Sequence, residues 1–274
     1  MSEQEMEEPV EDVAREGKAQ FEPQQTELFA RCLRALNQAS IPYLVAGAMA
    51  KHAYTGIWRN TKDLDLFLKP ADLEPALATL AEADLDTTIE FRHWLAKARQ
   101  EPYFIDLIFG TGHGQLQIDD SWFENSRPIQ IAGVQAQLIP PEELIVSKMY
   151  VAERYRFDGA DVLHVIQGTR GEIDWQRILA LLDDNRDLLL PYLLLFAFVY
   201  PGRTHYLPQS LMAELFEEAQ RHWSDPHGRQ DFRGTLLDPF SFTVDIEDWD
   251  YEDQRRLEPL VSEMGDLVGE EDHE

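Results

Sequence analysis

Apolar and polar residues first follow the period of a helix and then that of a strand. In residues 25–39, apolar side chains recur every three or four positions between Leu28 and Leu36, which predicts an amphipathic helix. The short apolar run 43–47 predicts a strand, and residues 48–54 predict a second helix. A strand that passes directly into a helix is typical of domains that mix both elements.

The pattern then alternates with a period of two in several segments. Strands are predicted at 63–68, 86–91 and 103–109, and a strand pair at 128–139 that turns at Gly133. Helices are predicted at 70–83 and, as a short polar helix, around Trp94 to Arg99.

Strands are largely absent from the pattern after Pro141. Helices are predicted at 141–156, 159–167, 174–184, 187–200 and 210–223. We therefore predict an α/β (α+β) fold, in which helices flank a mixed sheet and an all-helical region follows. The predicted divisions are an acidic tail at 1–24, a sheet domain at 25–140, a helical domain at 141–237 and an acidic segment at 238–274. Residues 188–200 are apolar nearly all round, so this helix is either the buried centre of the helical half or a partner interface.

Charge is concentrated at the two ends of the chain. The 274 residues carry a net charge of −27; residues 1–24 hold 8 acidic and 2 basic side chains, and residues 238–274 hold 14 and 2. The first stretch and the last, from about Gly265, are typical of solvated, disordered tails. This acidity argues against broad binding of duplex nucleic acid, which depends on Lys and Arg displacing counterions, although a local basic site is compatible with it.

A cytoplasmic location fits the remaining composition. Cys32 is the single cysteine, which excludes a disulfide framework and a cysteine-based zinc site within one chain. The apolar run 188–200 contains Pro191 and is shorter than the roughly 20 residues of a membrane-spanning helix. The acidic N-terminal residues lack the pattern of a signal peptide.

Three aspartates within predicted strands call for an explanation. Alternation places Asp63 and Asp65 on one face of their strand, while Asp106 lies in an apolar run that predicts a strand buried on both faces. A buried carboxylate is costly unless it is paired, protonated or bound to a metal. If the strands are neighbours, the three side chains form a site for a hard cation such as Mg²⁺. The alternative is that Asp63 ends a loop and that the other two lie at solvent-open strand ends.

The preceding segment favours the metal interpretation. Gly47 and Ala48 form a small-residue turn between strand and helix, where free backbone amides can hold a phosphate. Arg59 and Thr61 then supply a cation and a hydroxyl that suit phosphate oxygens. The phosphate-binding turn, the cation and the two carboxylates of the next strand thus follow one another within 20 residues.

This combination resembles the nucleotidyltransferase superfamily, the polymerase-beta-like fold with a strand, a Gly-Gly or Gly-Ser turn, a helix and then Asp-x-Asp. The match is VAGAMAKHAYTGIWRNTKDLDLFL, with Asp106 in the position of the third carboxylate. The Arg-x-Thr-x-Asp-x-Asp run and PPEELIVSKMYVAERYRFDGADVLHVI are similar to an uncharacterised bacterial branch related to AbiEii-type toxins and minimal nucleotidyltransferases. The likeness extends over about residues 25–200.

The resemblance implies roles for the carboxylates and for Lys148. Asp63, Asp65 and Asp106 would bind Mg²⁺ or Mn²⁺, and Asp106 would also act as base on the acceptor hydroxyl. Lys148 would offset charge that develops on the triphosphate of an NTP substrate.

The turn and loop residues take the remaining implied roles. Gly47 and Ala48 would cradle the terminal phosphates, with Arg59 and Thr61 beside them. Asp158 and Asp161 match a later acidic motif of the family, whereas Asp158 suits a helix cap equally well. Ala48 departs from the usual Gly or Ser, which predicts weaker triphosphate binding and leaves an inactive member as an alternative.

Other candidates are more typical of ordinary packing. His113 follows the Asp106 strand in a Gly-rich turn, and His164 lies on the apolar side of its helix. GTGHGQ lacks the Lys-Ser/Thr of a P-loop. Four aromatic residues are candidates for stacking a base, with core packing as the default: Trp58, Tyr150, Tyr155 and Phe157.

The function predicted is Mg²⁺-dependent transfer of an NMP from an NTP to an unknown acceptor, with release of pyrophosphate. The candidate acceptors are a tRNA end, a protein hydroxyl or a small molecule such as an aminoglycoside, and net acidity favours a cationic small molecule or a protein over RNA. Two alternatives stay open: a non-catalytic protein that binds a nucleotide or a protein partner, and the toxin of a toxin-antitoxin pair.

Overall fold

The computed structural model describes residues 21–225 and 230–261, which contain a seven-stranded mixed sheet. The strands are β1 (Leu44–Val45), β2 (Asp63–Phe67), β3 (Asp86–Phe91), β4 (Leu95–Gln100), β5 (Tyr103–Ile108), β6 (Arg127–Ile131) and β7 (Val134–Leu138). Their order across the sheet is β3-β4-β5-β2-β1-β7-β6. β2 is parallel to β5 and β1 to β7, and the other neighbours are antiparallel.

Helices flank the sheet and then form the C-terminal half. They are α1 (Pro23–Gln38), α2 (Gly47–Thr55), α3 (Leu73–Glu82), α4 (Ser121–Glu124), α5 (Pro141–Met149), α6 (Gly159–Gly168), α7 (Trp175–Leu182), α8 (Leu189–Val199), α9 (Gln209–Ser224), α10 (Gly234–Leu237) and α11 (Thr243–Glu247). The predicted fold class is confirmed: a mixed sheet with flanking helices is followed by a helical region.

The alternation in β2 decides which residues face the core and which face the site. Leu64 and Leu66 are fully buried in a cluster with apolar residues of α1 and α3. Phe67, on the opposite face with Asp63 and Asp65, belongs to a second cluster with α5 to α8. The aspartates of β2 therefore point to the side of the sheet where the C-terminal helices pack.

The prediction of a short helix around Trp94 to Arg99 is wrong, because β4 occupies these residues. Ala, Lys, Arg and Gln favour a helix by local propensity. In the structure β4 pairs with β3 on one side and β5 on the other, so its backbone hydrogen bonds are satisfied within the sheet. Ala96 and Ala98 are fully buried in the cluster beneath α3. Tertiary pairing outweighs propensity here.

Two other expectations need correction. The helix predicted at 141–156 ends at Met149, and the chain then turns back, with a bridge between Ala152 and Phe157. β5 is buried on one face rather than both: Ile105 and Leu107 are buried, whereas Asp106 is partly exposed. The exposed face of β5 borders the candidate site.

Several predictions concern the ends and divisions of the chain. Most of the acidic tail predicted at 1–24, and the tail from Gly265, lie outside the described residues. The strands end at Leu138 and helices follow from Pro141, while the division into two domains near residue 140 stays a prediction. None of the helices within the described ranges is long and apolar enough to cross a membrane.

The apolar helix α8 is buried on one side only. Leu193 and Phe196 are fully buried, whereas Leu194 and Phe198 are 45% and 82% exposed. The helix therefore contributes to the core. Because its other side is exposed, a partner interface on that side stays a prediction.

Candidate active site

The three aspartates meet on one face of the sheet. β2 and β5 are parallel neighbours in a register that places Asp65 directly beside Asp106, and Asp63 lies two residues before Asp65 on the same face. One carboxylate oxygen of each residue lies within 4.8 Å of the others, and all three are partly exposed. Among the residues that the structure describes, these three aspartates form the one cluster of possible metal ligands with this close spacing. Three carboxylates at this spacing suit a hard divalent cation.

Gly47 begins α2 against the carboxylate of Asp65. Its φ of +53° lies in the left-handed region, and a Cβ at this position would lie 1.6 Å from Asp65 Oδ2. The first amides of a helix have no partner within the helix, and the residue before α2, Ala46, offers no side-chain cap. The turn therefore presents backbone amides beside the aspartate cluster, as an anion site requires.

Burial and like charges raise the pKa of Asp65. Desolvation, followed by the charges of Asp63 and Asp106, raises the pKa of Asp65 to about 7. The positive charges of Lys148 and Arg156 oppose that rise without cancelling it. Burial and the two neighbouring carboxylates thus disfavour the ionised form of Asp65, and a bound cation would favour it.

Lys97 of β4 neutralises part of that charge. It lies opposite Asp106 in the antiparallel register, and its Nζ donates to Asp106 Oδ1 at 2.5 Å. Burial raises the pKa of Asp106, and the hydrogen bond and charge of Lys97 oppose that rise. Lys97 therefore fixes one oxygen of Asp106 and leaves the other unbound by this lysine.

Lys148 lies in an ion-pair network between α5 and α6. Its Nζ is 3.1 Å from Asp158 Oδ2 and 3.0 Å from Asp161 Oδ2. Lys51 of α2 also pairs with Asp161, and Arg156 binds Asp158 at 3.0 Å. These pairs hold the Lys148 side chain at the edge of the cluster, close enough to lower the pKa of Asp65.

The network keeps Asp158 and Asp161 ionised. Burial alone would raise the pKa of Asp158, but hydrogen bonding to Arg156 and the charge of Lys148 leave it below its ordinary value. For Asp161, burial is likewise outweighed by Lys148 and Lys51. Asp158 precedes α6 but makes no side-chain cap, because its oxygens bind the basic residues instead. The capping interpretation is therefore wrong.

The loop residues predicted beside the phosphates divide between two places. Thr61 donates its hydroxyl to Asp63 Oδ1 and so orients that carboxylate. Arg59 is exposed and lies outside the cavity described below, on the side of His164. Burial, with the charges of Lys51 and Arg59, lowers the pKa of His164.

A cavity of about 430 Å³ opens beside Asp65. Its lining includes Gly47, Asp65 and Lys148, together with Trp94 and the loop 110–113. The C-terminal segment supplies a further wall through residues 235–257. The volume lies in the range of small-molecule sites, which is about 300–1,000 Å³.

Of the four candidate aromatics, Tyr150 lines the cavity. It stacks on His113 with ring centroids 3.9 Å apart, and burial lowers the pKa of His113 to about 3, so this imidazole is neutral. Trp58 packs against Phe21 and His52 outside the cavity, and Tyr155 is 92% exposed. Phe157 also lies outside the lining and stacks on Tyr192.

Sequence reasoning missed four groups that the fold brings to the site. Lys51 lies only four residues after Gly47, so its helical spacing was a usable signal. Lys97 and Arg156 fell within predicted helices, which concealed their positions. The wall from the C-terminal segment had no local signal, because it depends on contacts with loops more than 100 residues earlier.

The comparisons with known proteins identify the family. No curated protein matches this chain. Among solved structures, ANT(2'')-Ia in complex with adenylyl-2''-tobramycin is 15% identical, with a TM-score of 0.44 over 60% of this chain and 97% of that one. The lincosamide adenylyltransferase LnuA, lincomycin-bound, is 12% identical, with a TM-score of 0.38 over 51% and 94%. An antigenic nucleotidyltransferase-like protein from Paracoccidioides brasiliensis is 15% identical, with a TM-score of 0.42 over 68% and 93%.

At these TM-scores the likeness carries no argument about substrates, whereas the match to a family is direct. The model of the family described as "Nucleotidyl transferase of unknown function (DUF2204)" matches residues 25–183, more than half of the chain. This confirms the predicted superfamily, and the closer relation to AbiEii-type proteins stays a prediction. The chain belongs to this family of nucleotidyl transferases.

Proposed function

We propose that this chain is an active, divalent-metal-dependent nucleotidyltransferase that transfers an NMP from an NTP to an acceptor hydroxyl. The observation that carries the proposal is the close approach of the Gly47 turn to Asp65, in register with Asp106. An anion-binding turn and a carboxylate cluster in contact suit a phosphate together with a cation.

Asp63, Asp65 and Asp106 would hold Mg²⁺ or Mn²⁺ in this proposal. Their oxygens lie close enough together to share one ion, and a cation would favour the ionised form of Asp65, which burial and the two like charges disfavour. When bound, the ion would neutralise charge on the phosphates and orient them.

The chain's own residues would position the reactants and accept a proton. The acceptor oxygen attacks the α-phosphorus, the bond to the β-phosphate oxygen breaks, and pyrophosphate leaves. Asp106 takes the proton of the acceptor hydroxyl at Oδ2, while Oδ1, which accepts from Lys97, has a second lone pair for the ion. The amides of Gly47 and Ala48 hold the terminal phosphates.

The cations take different places from those expected. Lys148 keeps its proposed role, since the Asp158 and Asp161 carboxylates hold it beside Asp65. Arg156 lines the cavity, so we propose it as the second cation that faces the triphosphate. A role for Arg59 stays a prediction that requires its loop to move inward. Thr61 is proposed to orient Asp63.

A reducing, cytoplasmic compartment is part of the proposal, since the single cysteine excludes a disulfide framework within the chain. The experiment is to incubate the protein, each α-labelled NTP, Mg²⁺ and a bacterial lysate, and then to separate RNA, protein and small molecules. Asp63→Ala/Asp65→Ala is the inactive variant, and Glu82→Gln, an exposed carboxylate on α3, is the matched control.

Label transfer by the wild type and Glu82→Gln, but not by the double variant, is the expected result. Equal transfer by the double variant would refute the assignment of the aspartates. If no fraction gains label, the enzyme proposal fails and the protein that binds a nucleotide or partner without catalysis becomes the better account.

A further inference from the structure

The C-terminal segment, residues 235–261, is fastened to the loops around the cavity. The Arg256 amide donates to the His113 carbonyl at 3.1 Å, and the Leu260 amide donates to the Arg92 carbonyl at 2.9 Å. Gln115 Nε2 donates to the carbonyl of Gln254 at 2.7 Å. These bonds place the segment along the turn before β4 and the loop after β5, so it forms a wall beside Asp65. It lies beyond residues 25–183, the part that matches the family.

Close packing supports this position. A Cβ at Gly114, whose φ is +70°, would lie 1.8 Å from the carbonyl oxygen of Arg256. A Cβ at Gly110 would lie 2.3 Å from the carbonyl oxygen of His93 and 3.2 Å from Leu260 Cδ1. The loop approaches the segment with no space for a side chain between them, which is typical of a built contact.

Exposed apolar side chains gather at this cavity. Phe240 is 85% exposed, Phe91 49% and Leu257 40%, and all three line it, together with the Trp94 ring that stacks on Phe91. Large apolar side chains that remain in contact with water lose the stabilisation that burial gives. Contiguous exposed apolar surface at a concave site commonly marks a ligand-binding surface.

The charges at the cavity balance. Its lining has three acidic side chains, Asp65, Glu153 and Asp158, and three basic ones, Lys148, Arg156 and Arg255. All three basic groups are already paired: Lys148 and Arg156 with Asp158, and Arg255 with Asp253 at 2.6 Å. The proposed function assigns Asp65 to the metal ion and Lys148 and Arg156 to the triphosphate, so these charges are not free to bind an acceptor. The remaining recognition surface is aromatic and aliphatic.

We propose that the acceptor is a small, uncharged hydroxyl compound with a flat apolar ring, which binds between Trp94, Phe240 and Leu257. The proposal rests on the proposed function, and it names the acceptor class for that site. Phe240 and Leu257 make the C-terminal segment the part of the chain that determines acceptor specificity. A cavity of about 430 Å³ lies in the size range of small-molecule sites, so we favour a small acceptor over a tRNA or a protein.

The test measures binding directly, with 2-naphthol as the probe and the full chain as the protein. Isothermal titration compares the wild type with Phe240→Ala/Leu257→Ala. The matched control is Phe216→Ala/Trp223→Ala, which removes two exposed aromatics of α9 that lie outside the cavity lining. A non-hydrolysable ATP analogue with Mg²⁺ is titrated in parallel. Because Phe240 and Leu257 are exposed, the variant keeps its fold, and a melting curve verifies this.

The expected result is a Kd for 2-naphthol that rises at least tenfold in the cavity variant, about 1.4 kcal/mol, and stays unchanged in the control. The Kd of the ATP analogue should be the same in all three proteins. Equal naphthol binding by the two variants, or no binding to the wild type, would overturn the proposal. So would a loss confined to the ATP analogue, which would assign the apolar wall to the nucleobase. Should the cavity variant unfold, Phe91→Ala takes its place, and the same tenfold rise in the Kd of 2-naphthol is expected.

Label transfer separates this inference from the proposed function. When lysate is divided by ultrafiltration before the reaction, label should enter the low-mass fraction. Transfer to RNA or protein would keep the nucleotidyltransferase and refute the acceptor class. If naphthol binds as expected but no fraction gains label, the enzyme proposal fails, whereas the apolar binding site is retained.

Discussion

Asp65→Asn should stabilise the metal-free protein at alkaline pH. The side chain lies beside Asp63 and Asp106, and desolvation together with these charges raises its pKa to about 7 from an ordinary 3.8. Asn has nearly the same shape and carries no charge, so it removes the repulsion without leaving a cavity. The wild type has to hold an ionised Asp65 in the cluster above pH 7, and the variant does not.

The sign of the pH dependence follows from proton counts. Between about pH 4 and pH 7 the folded protein retains the Asp65 proton that the unfolded chain has lost, so this group's contribution to stability falls as the pH rises. The gap is about 3 pKa units, or about 4 kcal/mol at 1.4 kcal/mol per unit, an upper bound because solvent at the partly exposed cluster screens the charges. For a chain of this size 1 kcal/mol shifts the melting temperature by about 2–4 °C.

The assay is thermal melting of both proteins from pH 5 to pH 8, in EDTA and then in Mg²⁺, with Glu82→Gln as the control. In EDTA, the variant should melt several degrees above the wild type at pH 8, and the difference should shrink toward pH 5. Mg²⁺ should raise the melting temperature of the wild type and have little effect on the variant. A variant that melts below the wild type at pH 8, or gains as much from Mg²⁺, would refute the reasoning.

Three further substitutions examine the turn, the third carboxylate and the ion-pair network. Gly47→Ala should lower transfer by at least about a hundredfold, because its Cβ displaces a carboxylate of the cluster. Gly133 also has a positive φ but open space around it, so Gly133→Ala should cost only about 1 kcal/mol of stability and no activity. Equal transfer by the two variants would contradict this. Lys97→Met removes the hydrogen bond that restrains the pKa of Asp106, so the acid limb of the pH profile of kcat/KM should move to higher pH, and an unmoved limb would count against Asp106 as the base. Lys51→Met removes one partner of the buried Asp161 carboxylate, which keeps Lys148, and should lower the unfolding free energy in urea by roughly 1.5–3 kcal/mol. A loss below about 0.5 kcal/mol would show that the pair contributes little.

Local pattern was sufficient for the parts of the site that are close in sequence. The alternation through Asp63 and Asp65 and the small-residue turn at Gly47 both depend on a few neighbouring residues, and the structure has them as predicted. The side-by-side position of Asp65 and Asp106 depends on strand register across 41 residues. The sequence predicted this position only on the condition that the two strands are neighbours, because packing sets the register.

The parts that sequence did not predict are decided by distant contacts. The helix propensity of β4 gives way to pairing on both edges, so Lys97 reaches Asp106 instead of facing solvent on a helix. Leu257 and Phe240 lie in an acidic stretch whose composition is typical of a solvated surface. The place of Leu257 is set by backbone bonds of Arg256 and Leu260 to His113 and Arg92, and the stretch at Phe240 is held by the bond from the Arg154 amide to Asp238. No local pattern encodes these contacts.

The most direct test of the account is Mn²⁺ binding followed by electron paramagnetic resonance. The signal of free Mn²⁺ is recorded with a non-hydrolysable ATP analogue, and either the wild type or Asp63→Asn/Asp65→Asn is then added. The account predicts that the wild type removes more of the free-ion signal than the analogue alone does, and that the variant does not. An equal loss of signal with both proteins would contradict the claim that the aspartate cluster binds a metal ion together with the nucleotide.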